Sequence, residues 1–290
     1  MDPYIIIPVV VNGLMTGGIY ALIAISLNLI FGVMKIINFA QGNFMVLGMY
    51  FTFWLYYWFH MDPYISILFT FPTLFVIGII IQRFLIRPIL KAPEENQILL
   101  TIGLLIFLEN LALFIWGPNF RSVKVSYSGT AIVLGNLVIN LPRLLAFVFS
   151  IIMVVGLFQF LRRTDMGKSI RAAVDDSEGA LLAGINVRKI QLISFGIGIG
   201  AAGVAGSMII PFHYVAPHIG TEWTITAFII VILGGLGQFF GALIGGLIIG
   251  VVESLGAIFM PGSLKEVPVF IIFILILLMK PQGIFGSTAR

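Results

Sequence analysis

The sequence contains no cysteine, only three histidines and few charged residues. The absence of cysteine excludes disulfide bonds and metal sites built on thiolates. Charged side chains make up 10% of the 290 residues, whereas about 25% is usual for a soluble domain. No low-complexity segment interrupts the chain and no polar stretch is long enough to form a domain, so a second, water-soluble domain is not expected. These absences exclude a soluble globular protein.

Apolar residues take the place of the missing charge. Hydrophobic residues make up 60% of the chain, and the mean hydropathy is +1.12. Runs long enough to cross a hydrocarbon core of about 30 Å recur throughout. The sequence therefore predicts an all-α polytopic membrane protein with a single transmembrane domain over residues 1–290. The predicted spans are Tyr4–Phe31, Phe44–Phe59, Tyr64–Gln82, Gln97–Trp116, Leu144–Leu161, Ile190–Ile210, Thr224–Leu236, Phe240–Phe259 and Val267–Met279. The second and seventh are short enough to be re-entrant or broken, so eight or nine transmembrane helices are expected.

Basic residues are unevenly distributed between the predicted loops. If residues 162–191 are cytoplasmic, the cytoplasmic side carries twelve Lys and Arg residues, Lys280 and Arg290 included, and the outer side carries four, Lys265 included. By the positive-inside rule, this asymmetry places the N-terminus outside and the C-terminus in the cytoplasm of a bacterial inner membrane. The net charge of +4 is therefore explained by topology and does not indicate nucleic-acid binding. The start, Met1-Asp2-Pro3, has no basic residues, so the first span is predicted to stay uncleaved.

The longest charged interruption of the apolar sequence runs from Arg162 to Gln191. Apolar and small residues recur in it at helical spacing and predict one face of a single helix: Ile170, Ala173, Val174, Ser177 and Leu181. Arg171 and Asp175 are four residues apart, which supports such a helix. Gly179 and Gly184 interrupt this pattern, and Asn186 is suited to cap the next helix. Two interpretations are open: a solvated loop between two spans, or a short helix presented to a soluble partner.

The sequence contains no complete motif for an enzyme or a metal site. Gly167-Lys168-Ser169 resembles the end of a phosphate-binding loop, but Arg162 stands where that loop requires its first glycine. The chain is therefore not expected to bind ATP or to act as an enzyme. His213 and His218 are five residues apart near Glu222, a pattern more typical of a solvated loop than of a metal site. No metal is expected.

Six polar residues between or inside predicted spans are candidates for a translocation path: Asn38, Gln41, Asn43, Glu109, Asn110 and Glu253. An unpaired amide in hydrocarbon is costly, and a charge at the bilayer centre costs about 2.5–3.5 kcal/mol. Each residue therefore needs water or a protein partner. The three early amides either line a water-filled path or hydrogen-bond to the backbone of a broken helix. The two acids either tie helices together or form a polar step on the path.

Glycines of the last third are spaced for close helix packing. Gly237, Gly241 and Gly245 are four residues apart, and Ala242, Gly246 and Gly250 form a second such series. Small residues at this spacing let helix backbones approach closely in a membrane. Glycine-interrupted segments near both ends of the chain also indicate where the site of a transporter lies.

Three blocks of sequence resemble the permeases of ABC importers. Glu178-Gly-Ala-Leu-Leu-Ala-Gly184 resembles their "EAA" coupling loop, with Gly179 in place of its first alanine and without the apolar-Pro ending of many such loops. The opening Asn12–Gly48, with its word Ile37-Asn38-Phe39-Ala40-Gln41-Gly42, is similar to permeases for branched-chain amino acids of the high-affinity leucine, isoleucine and valine type. Many relatives have an acid next, where this chain has Asn43. The glycine block at 234–246 and the terminal Lys280–Gly286 also fit that family.

The resemblance implies a transport subunit that works within a larger machine. Its expected partners are a second, related permease, two cytoplasmic ATPases that carry ATP and Mg²⁺, and an extracytoplasmic substrate-binding protein. The coupling loop 162–191 would contact the ATPases through Arg171, Asp175, Asp176, Glu178, Ala180 and Gly184. Transport would proceed by alternating access.

Three alternatives remain at the level of sequence. Related permeases carry urea or short amides, so the substrate class is open, as is pairing with a paralogue or with a second copy. An ion-coupled secondary transporter would use Glu109 and Glu253 as cation sites, but it has no use for a docking helix. A channel would conduct without nucleotide.

Overall fold

A computed structural model describes residues 3–135, 137–260, 262–264 and 266–286. The predictions of an uncleaved first span and of the charge asymmetry rest partly on Met1, Asp2, Lys265 and Arg290, which lie outside the described residues.

Helices form almost all of the structure. In chain order the elements are α1 (Pro3–Met34), α2 (Gln41–Phe59), α3 (Pro63–Ile81), continued by a π-helical turn (Gln82–Ile86) into α4 (Arg87–Ile89), α5 (Glu94–Trp116), β1 (Ala131–Leu134), β2 (Leu137–Asn140), α6 (Leu141–Arg163), α7 (Asp165–Asp175), α8 (Ser177–Leu182), α9 (Val187–Ile209), a 3₁₀ turn (Pro217–Ile219), α10 (Gly220–Gly234), α11 (Phe239–Phe259), a 3₁₀ turn (Gly262–Leu264) and α12 (Val267–Met279).

Each predicted span corresponds to one of these helices, and the all-α polytopic class is confirmed. Among the described residues, seven helices are long and apolar enough to cross a membrane, and α12 is a shorter apolar helix. The helix α2 has 19 residues but begins with polar Gln41 and Asn43, which lower its hydropathy. The seventh span begins earlier than predicted, at Gly220 instead of Thr224.

Helices α1 and α9 form the centre of the bundle. In their apolar parts, 94% of the residues of α1 and 89% of those of α9 are buried, against 22% for α5 and for α6. The long helix α1 packs against α11, α9 and α6, and α9 also packs against α3 and α2. The outer helices therefore keep large apolar faces for lipid or for other subunits.

Small residues allow the central helices to touch. A Cβ on Gly17 of α1 would lie 2.8 Å from the carbonyl oxygen of Gly246, and one on Gly13 would lie 2.7 Å from the Cα of Val251. Helices in a membrane associate through close packing and hydrogen bonds, because lipid is as apolar as their side chains. Hydroxyl groups supply the hydrogen bonds between α2, α3 and α9, where Ser207 lies within 2.7 Å of Thr52 and 3.1 Å of Thr70.

Two helices begin inside the bundle rather than at its surface. At the start of α2, the Gln41 amide donates to Ser26, about two turns before α1 ends, at 2.7 Å. It also reaches the carbonyl oxygen of Gly198, halfway along α9, at 3.5 Å. The start of α10 lies beside it, since Gly42 N donates to Thr224 Oγ1 at 2.8 Å. These are the two spans for which the sequence predicts re-entrant or broken helices.

The segment between α5 and α6 lies at the end of the bundle opposite α7 and α8. Its apolar stretch forms an antiparallel hairpin of β1 and β2. The hydroxyl of Tyr127 donates to Asp62 Oδ2 at 2.6 Å, and Asp62 also caps α3 by accepting from Tyr64 N. Burial first, and then the hydrogen bond to Asp62, raise the pKa of the Tyr127 hydroxyl well above its ordinary value. The hairpin segment is thus fastened to the bundle.

Candidate functional site

The starts of α2 and α10 meet in the middle of the bundle and form a closed junction. Gly42 packs so tightly on Gly220 that a Cβ there would collide with the carbonyl oxygen of Gly220. Thr224 joins the two helices, because its hydroxyl accepts from Gly42 N and donates to the carbonyl oxygen of Gly220. A long central helix, a short connection and a helix that begins inside the bundle thus occur twice, first as α1–α2 and then as α9–α10.

The amides predicted from the first broken segment are buried at this junction. Asn38 Nδ2 donates to Gln41 Oε1 at 2.9 Å, and Asn38 Oδ1 accepts from Ala40 N at 3.2 Å. Gln41 also contacts Ser26 and the backbone of α9. These bonds connect the amides to the broken backbone and to each other, which is the second of the two interpretations offered by the sequence.

Asn43 differs from the other two amides in having an unused acceptor. Its side chain is 2% exposed, and Nδ2 lies 3.4 Å from the carbonyl oxygen of Leu105 in α5. Its Oδ1 is buried and has no hydrogen-bond partner among the described residues. A Cβ on Gly220 would lie 2.9 Å from this oxygen. Asn43 therefore lies directly against the start of α10.

The remaining polar candidates are not brought to the junction. Glu109 is half-buried and Asn110 exposed on α5, where Asn110 Nδ2 donates to its own helix at Ile106 O, at 2.8 Å. Glu253 lies on α11 nearer the end of the bundle that holds the hairpin, and it accepts a hydrogen bond from Tyr20 of α1. The six candidates thus occupy three separate places.

The predicted packing glycines also divide by position. Gly241 packs on Gly234, Gly245 lies against Ile230, and Gly246 lies against Ala21 of α1. Gly237 was predicted to share their helix face, and this prediction is wrong. It precedes α11 and has a φ of +81°. A Cβ added to it would have no neighbour within 4 Å. Its N–H instead donates to Asn28 Oδ1 at 2.6 Å, so it shapes the turn between α10 and α11.

The predicted coupling loop, residues 162–191, contains α7 and α8, which together are called the coupling segment. It lies at the end of the bundle where α6 ends and α9 begins. Thr164 caps α7 by accepting from Gly167 N at 2.9 Å. The prediction of one continuous helix through residue 181 is wrong. Asp176 has φ −151° and ψ 105°, so it ends α7 and caps α8 by accepting from Glu178 N at 3.0 Å.

This break decides which residues of the coupling segment a partner can reach. Ile170, Ala173 and Ala180 are buried against the bundle. The expected contact through Ala180 is therefore not available in this conformation. The other predicted contacts are exposed: Arg171, Asp175, Asp176, Glu178 and Gly184.

Two exposed leucines were not predicted as contacts. Leu181 was predicted to share a helix face with Ile170 and Ala173, which are buried, but it follows the break at Asp176 and is 63% exposed. Leu182 is 89% exposed. Gly184 follows with a φ of +83° and donates to Leu181 O at 3.0 Å. Exposed large apolar residues on a charged segment outside the apolar bundle are typical of a docking site for another protein.

An apolar helical bundle in which two helices begin at a buried junction lined by amides, with an exposed charged segment at one end, is typical of a membrane transport protein. Comparison with known proteins agrees with this class. The family model described as "Branched-chain amino acid transport system / permease component" matches residues 9–279.

Curated relatives match along nearly the whole chain. The branched-chain amino acid permease protein BraD of Pseudomonas aeruginosa is 32% identical over 289 residues, covering 95% of this chain and 94% of that protein. LivH of Escherichia coli K12 is 31% identical, with the same coverage of 95% and 94%. The probable permease LivH of Methanocaldococcus jannaschii is 31% identical, covering 91% and 88%. No solved structure matches the chain significantly. The chain belongs to the family of permease components of branched-chain amino-acid transport systems.

Proposed function

We propose that this chain is a permease subunit of an ATP-driven importer for branched-chain amino acids. The observation that carries the proposal is the coupling segment: α7 and α8 lie outside the apolar bundle and present charges and two leucines, while their inner residues are fixed to α1, α6 and α9. A carrier driven by an ion gradient has no need of such a docking site. The relatives named above are permeases for branched-chain amino acids, which supports the substrate class.

The importer would contain two permeases, two cytoplasmic ATPases and an extracytoplasmic binding protein. ATP and Mg²⁺ would bind to the ATPases, and the second permease would be a related chain rather than a second copy. The distribution of basic residues supports a bacterial inner membrane with the N-terminus outside and the C-terminus in the cytoplasm. In that orientation α7 and α8 face the ATPases, and the hairpin segment faces the binding protein.

Docking would use the exposed side of the coupling segment. Leu182, at 89% exposure, would anchor in a groove of the ATPase, and Glu178 and Arg171 would set the orientation at its rim. Buried apolar anchors carry most of the energy of an interface, while charges at the rim contribute specificity.

Transport requires the junction between α2 and α10 to open. Gln41, Asn43 and Thr224 are each at most 2% exposed, so this conformation is closed between the two faces. Interfaces packed through glycine allow helices to rock as rigid bodies, which is how many transporters alternate access.

The proposal is tested by reconstituting the permease pair with its ATPases in liposomes. Loaded binding protein is added outside, and uptake of radiolabelled L-leucine is measured with ATP or ADP inside. We expect concentrative uptake with ATP and none with ADP. Equal uptake with both nucleotides would refute an ATP-driven importer.

Gly184 variants test the docking site in the same assay. At its φ of +83° no neighbour lies within 4 Å of a Cβ, so valine costs only backbone strain within the chain, about 1–2 kcal/mol. Asparagine tolerates this conformation but adds bulk. If an ATPase approaches closely, both Gly184→Val and Gly184→Asn lose stimulated ATP hydrolysis while the permeases still assemble. Full uptake by both variants would show that the coupling contact lies elsewhere.

A further inference from the structure

A polar cavity of about 250 Å³ lies at the end of the bundle opposite the coupling segment. Residues of α1, α6, α10, α11 and the end of α9 line it, together with the connection after α9 and Glu266 before α12. Sites for drug-sized ligands usually measure about 300–1,000 Å³, so this cavity suits a smaller molecule. Its lining contains carboxylates, a guanidinium group and aromatic rings. It is separate from both the closed junction and the coupling segment.

The positive charge of the cavity comes from Arg143, the third residue of α6. Its guanidinium group lies 5.5 Å from the centre of the Phe212 ring, which holds it against the cavity wall. Its Nε is buried and has no hydrogen-bond partner among the described residues, but Arg143 as a whole is half-buried and lines the cavity. A guanidinium group that lines a cavity is suited to an anionic ligand group, because hydrogen bonds between charged groups are the strong ones.

The negative charge has an inner and an outer part. Glu253 is half-buried and accepts from the hydroxyl of Tyr20. Glu222 and Glu266 are exposed, so water solvates their charges at the mouth of the cavity. The inner part therefore offers one carboxylate and one guanidinium group, which match the two charges of an amino-acid zwitterion.

Apolar groups complete the lining. Trp223 packs edge-on against Tyr20 and against His213, each with ring centres 5.7 Å apart. Ile209, the last residue of α9, is 1% exposed and forms part of the wall. A ligand that bridges the two inner charges would place an uncharged side chain against these rings.

We propose that this cavity binds the zwitterion of a small apolar α-amino acid, with Arg143 taking the carboxylate and the side of Tyr20 and Glu253 taking the ammonium group. The role of this site rests on the proposed function. It would be the place where the permease receives substrate before the junction of α2 and α10 opens. It requires that the permease itself recognises the amino acid, independently of a binding protein.

The first test uses the assembled transporter in nanodiscs, without binding protein and without nucleotide. Equilibrium binding of radiolabelled L-leucine is measured, with 4-methylpentanoate and 3-methylbutylamine as competitors that each lack one of the two charges. We expect saturable leucine binding, and competition at least about tenfold weaker for each analogue. Absence of saturable leucine binding, or equal competition by the amine, would overturn the assignment.

The second test uses variants of Arg143. We expect Arg143→Gln to weaken leucine binding by about 10- to 100-fold, the range for losing a hydrogen bond between charged groups. Arg143→Lys should retain part of the affinity, since it keeps the charge. Arg121→Gln is the matched control, because Arg121 lies at the same end, also has a buried unpartnered Nε and does not line the cavity.

ATP-driven uptake by the parent transporter separates this inference from the proposed function. Uptake together with unchanged leucine binding by Arg143→Gln would overturn the site and leave the importer intact. Leucine binding that depends on Arg143 without ATP-driven uptake would support the site and contradict the importer. Loss of binding in Arg121→Gln to the same extent as in Arg143→Gln would also count against the site, because it would indicate a general structural effect.

Discussion

Replacement of Gly42 by alanine tests the junction at which α2 and α10 begin. The added methyl group would collide with the carbonyl oxygen of Gly220 and lie 2.7 Å from Thr224 Oγ1 and 2.8 Å from Thr224 N. Two of these atoms belong to the backbone, and the third is a short side chain that already accepts from Gly42 N. The crowding therefore cannot be relieved by turning a flexible side chain. The start of α10 has to move.

The magnitude follows from three contributions. Overpacking of this kind costs about 1–3 kcal/mol, and loss of the Gly42–Thr224 hydrogen bond costs about 1 kcal/mol more. Alanine regains at most about 1 kcal/mol of helix propensity, and less in the first turn of α2, where Gly42 lies. The net destabilisation is about 1–3 kcal/mol, so the steric cost outweighs the gain in helix propensity and Gly42→Ala is destabilising.

Gly103→Ala is the control for this prediction. Gly103 lies in α5, and a methyl group added there would have no neighbour within 4 Å, so only the gain in helix propensity applies. We expect Gly42→Ala to lower the midpoint of thermal aggregation of the purified permease pair and to slow leucine uptake. Gly103→Ala should match the parent or exceed it slightly. If the two variants behave alike, the tight junction between α2 and α10 is not present in the protein.

The remaining predictions concern topology, the acids within the membrane spans and the hairpin segment. Cysteine at Ser177 should be labelled only from the cytoplasm and cysteine at Ser126 only from outside, and the reverse pattern would overturn the orientation. Glu109→Gln should keep most uptake, because its place on α5 lies away from the junction; abolished concentrative uptake with normal ATP hydrolysis would instead indicate ion coupling. Glu253→Gln should weaken leucine binding by about tenfold, and unchanged binding would exclude its part in the cavity. Tyr127→Phe removes the hydrogen bond to Asp62, so it should lower the free energy of unfolding by about 1 kcal/mol and the thermal midpoint slightly. An unchanged midpoint would show that this contact does not stabilise the hairpin segment.

The helices were predictable because a membrane span needs about 20 apolar residues in sequence, a purely local property. The predicted cap at Asn186, which accepts from Lys189 N at 3.1 Å, is local too. For α2 and α10 the local signal is weaker. The short predicted length of both spans indicated that they are irregular, but not that the two helices start side by side.

Two predictions were wrong because a capping or turn signal overrode the periodicity of the sequence. The helical spacing of apolar residues continues past Asp176, so the pattern predicts an unbroken helix. Asp176 is also a good N-cap, and its side chain starts α8 instead. Gly237 likewise continues the four-residue spacing of the glycines, but a positive φ and a hydrogen bond to Asn28 keep it outside α11. In both places capping or turn geometry prevailed over periodicity.

Other features depend on contacts between distant parts of the chain. Tyr20 and Glu253 are 233 positions apart in sequence, and the cavity between them draws on several helices. Thr52, Thr70 and Ser207 are ordinary residues in their own helices and form a buried hydroxyl cluster only after packing. No periodicity or motif brings such residues together. The sequence identifies candidates such as Glu253, and the fold decides which of them face one another.

The two ends of the bundle are joined by continuous helices. The helix α6 begins beside the cavity at Arg143 and ends at Arg163, directly before α7. The helix α1 carries Tyr20 at the cavity, and its Gly32 lies against Val174 of α7, where a Cβ would be 3.4 Å from the valine side chain. Continuous helices resist bending, so displacement of α7 by an ATPase has to be accommodated by movement of α1 or α6 as a whole. Since α1 also contacts α2 and α10, the same movement reaches the closed junction. The proposed substrate site at one end and the proposed ATPase contact at the other would therefore act on the same two helices.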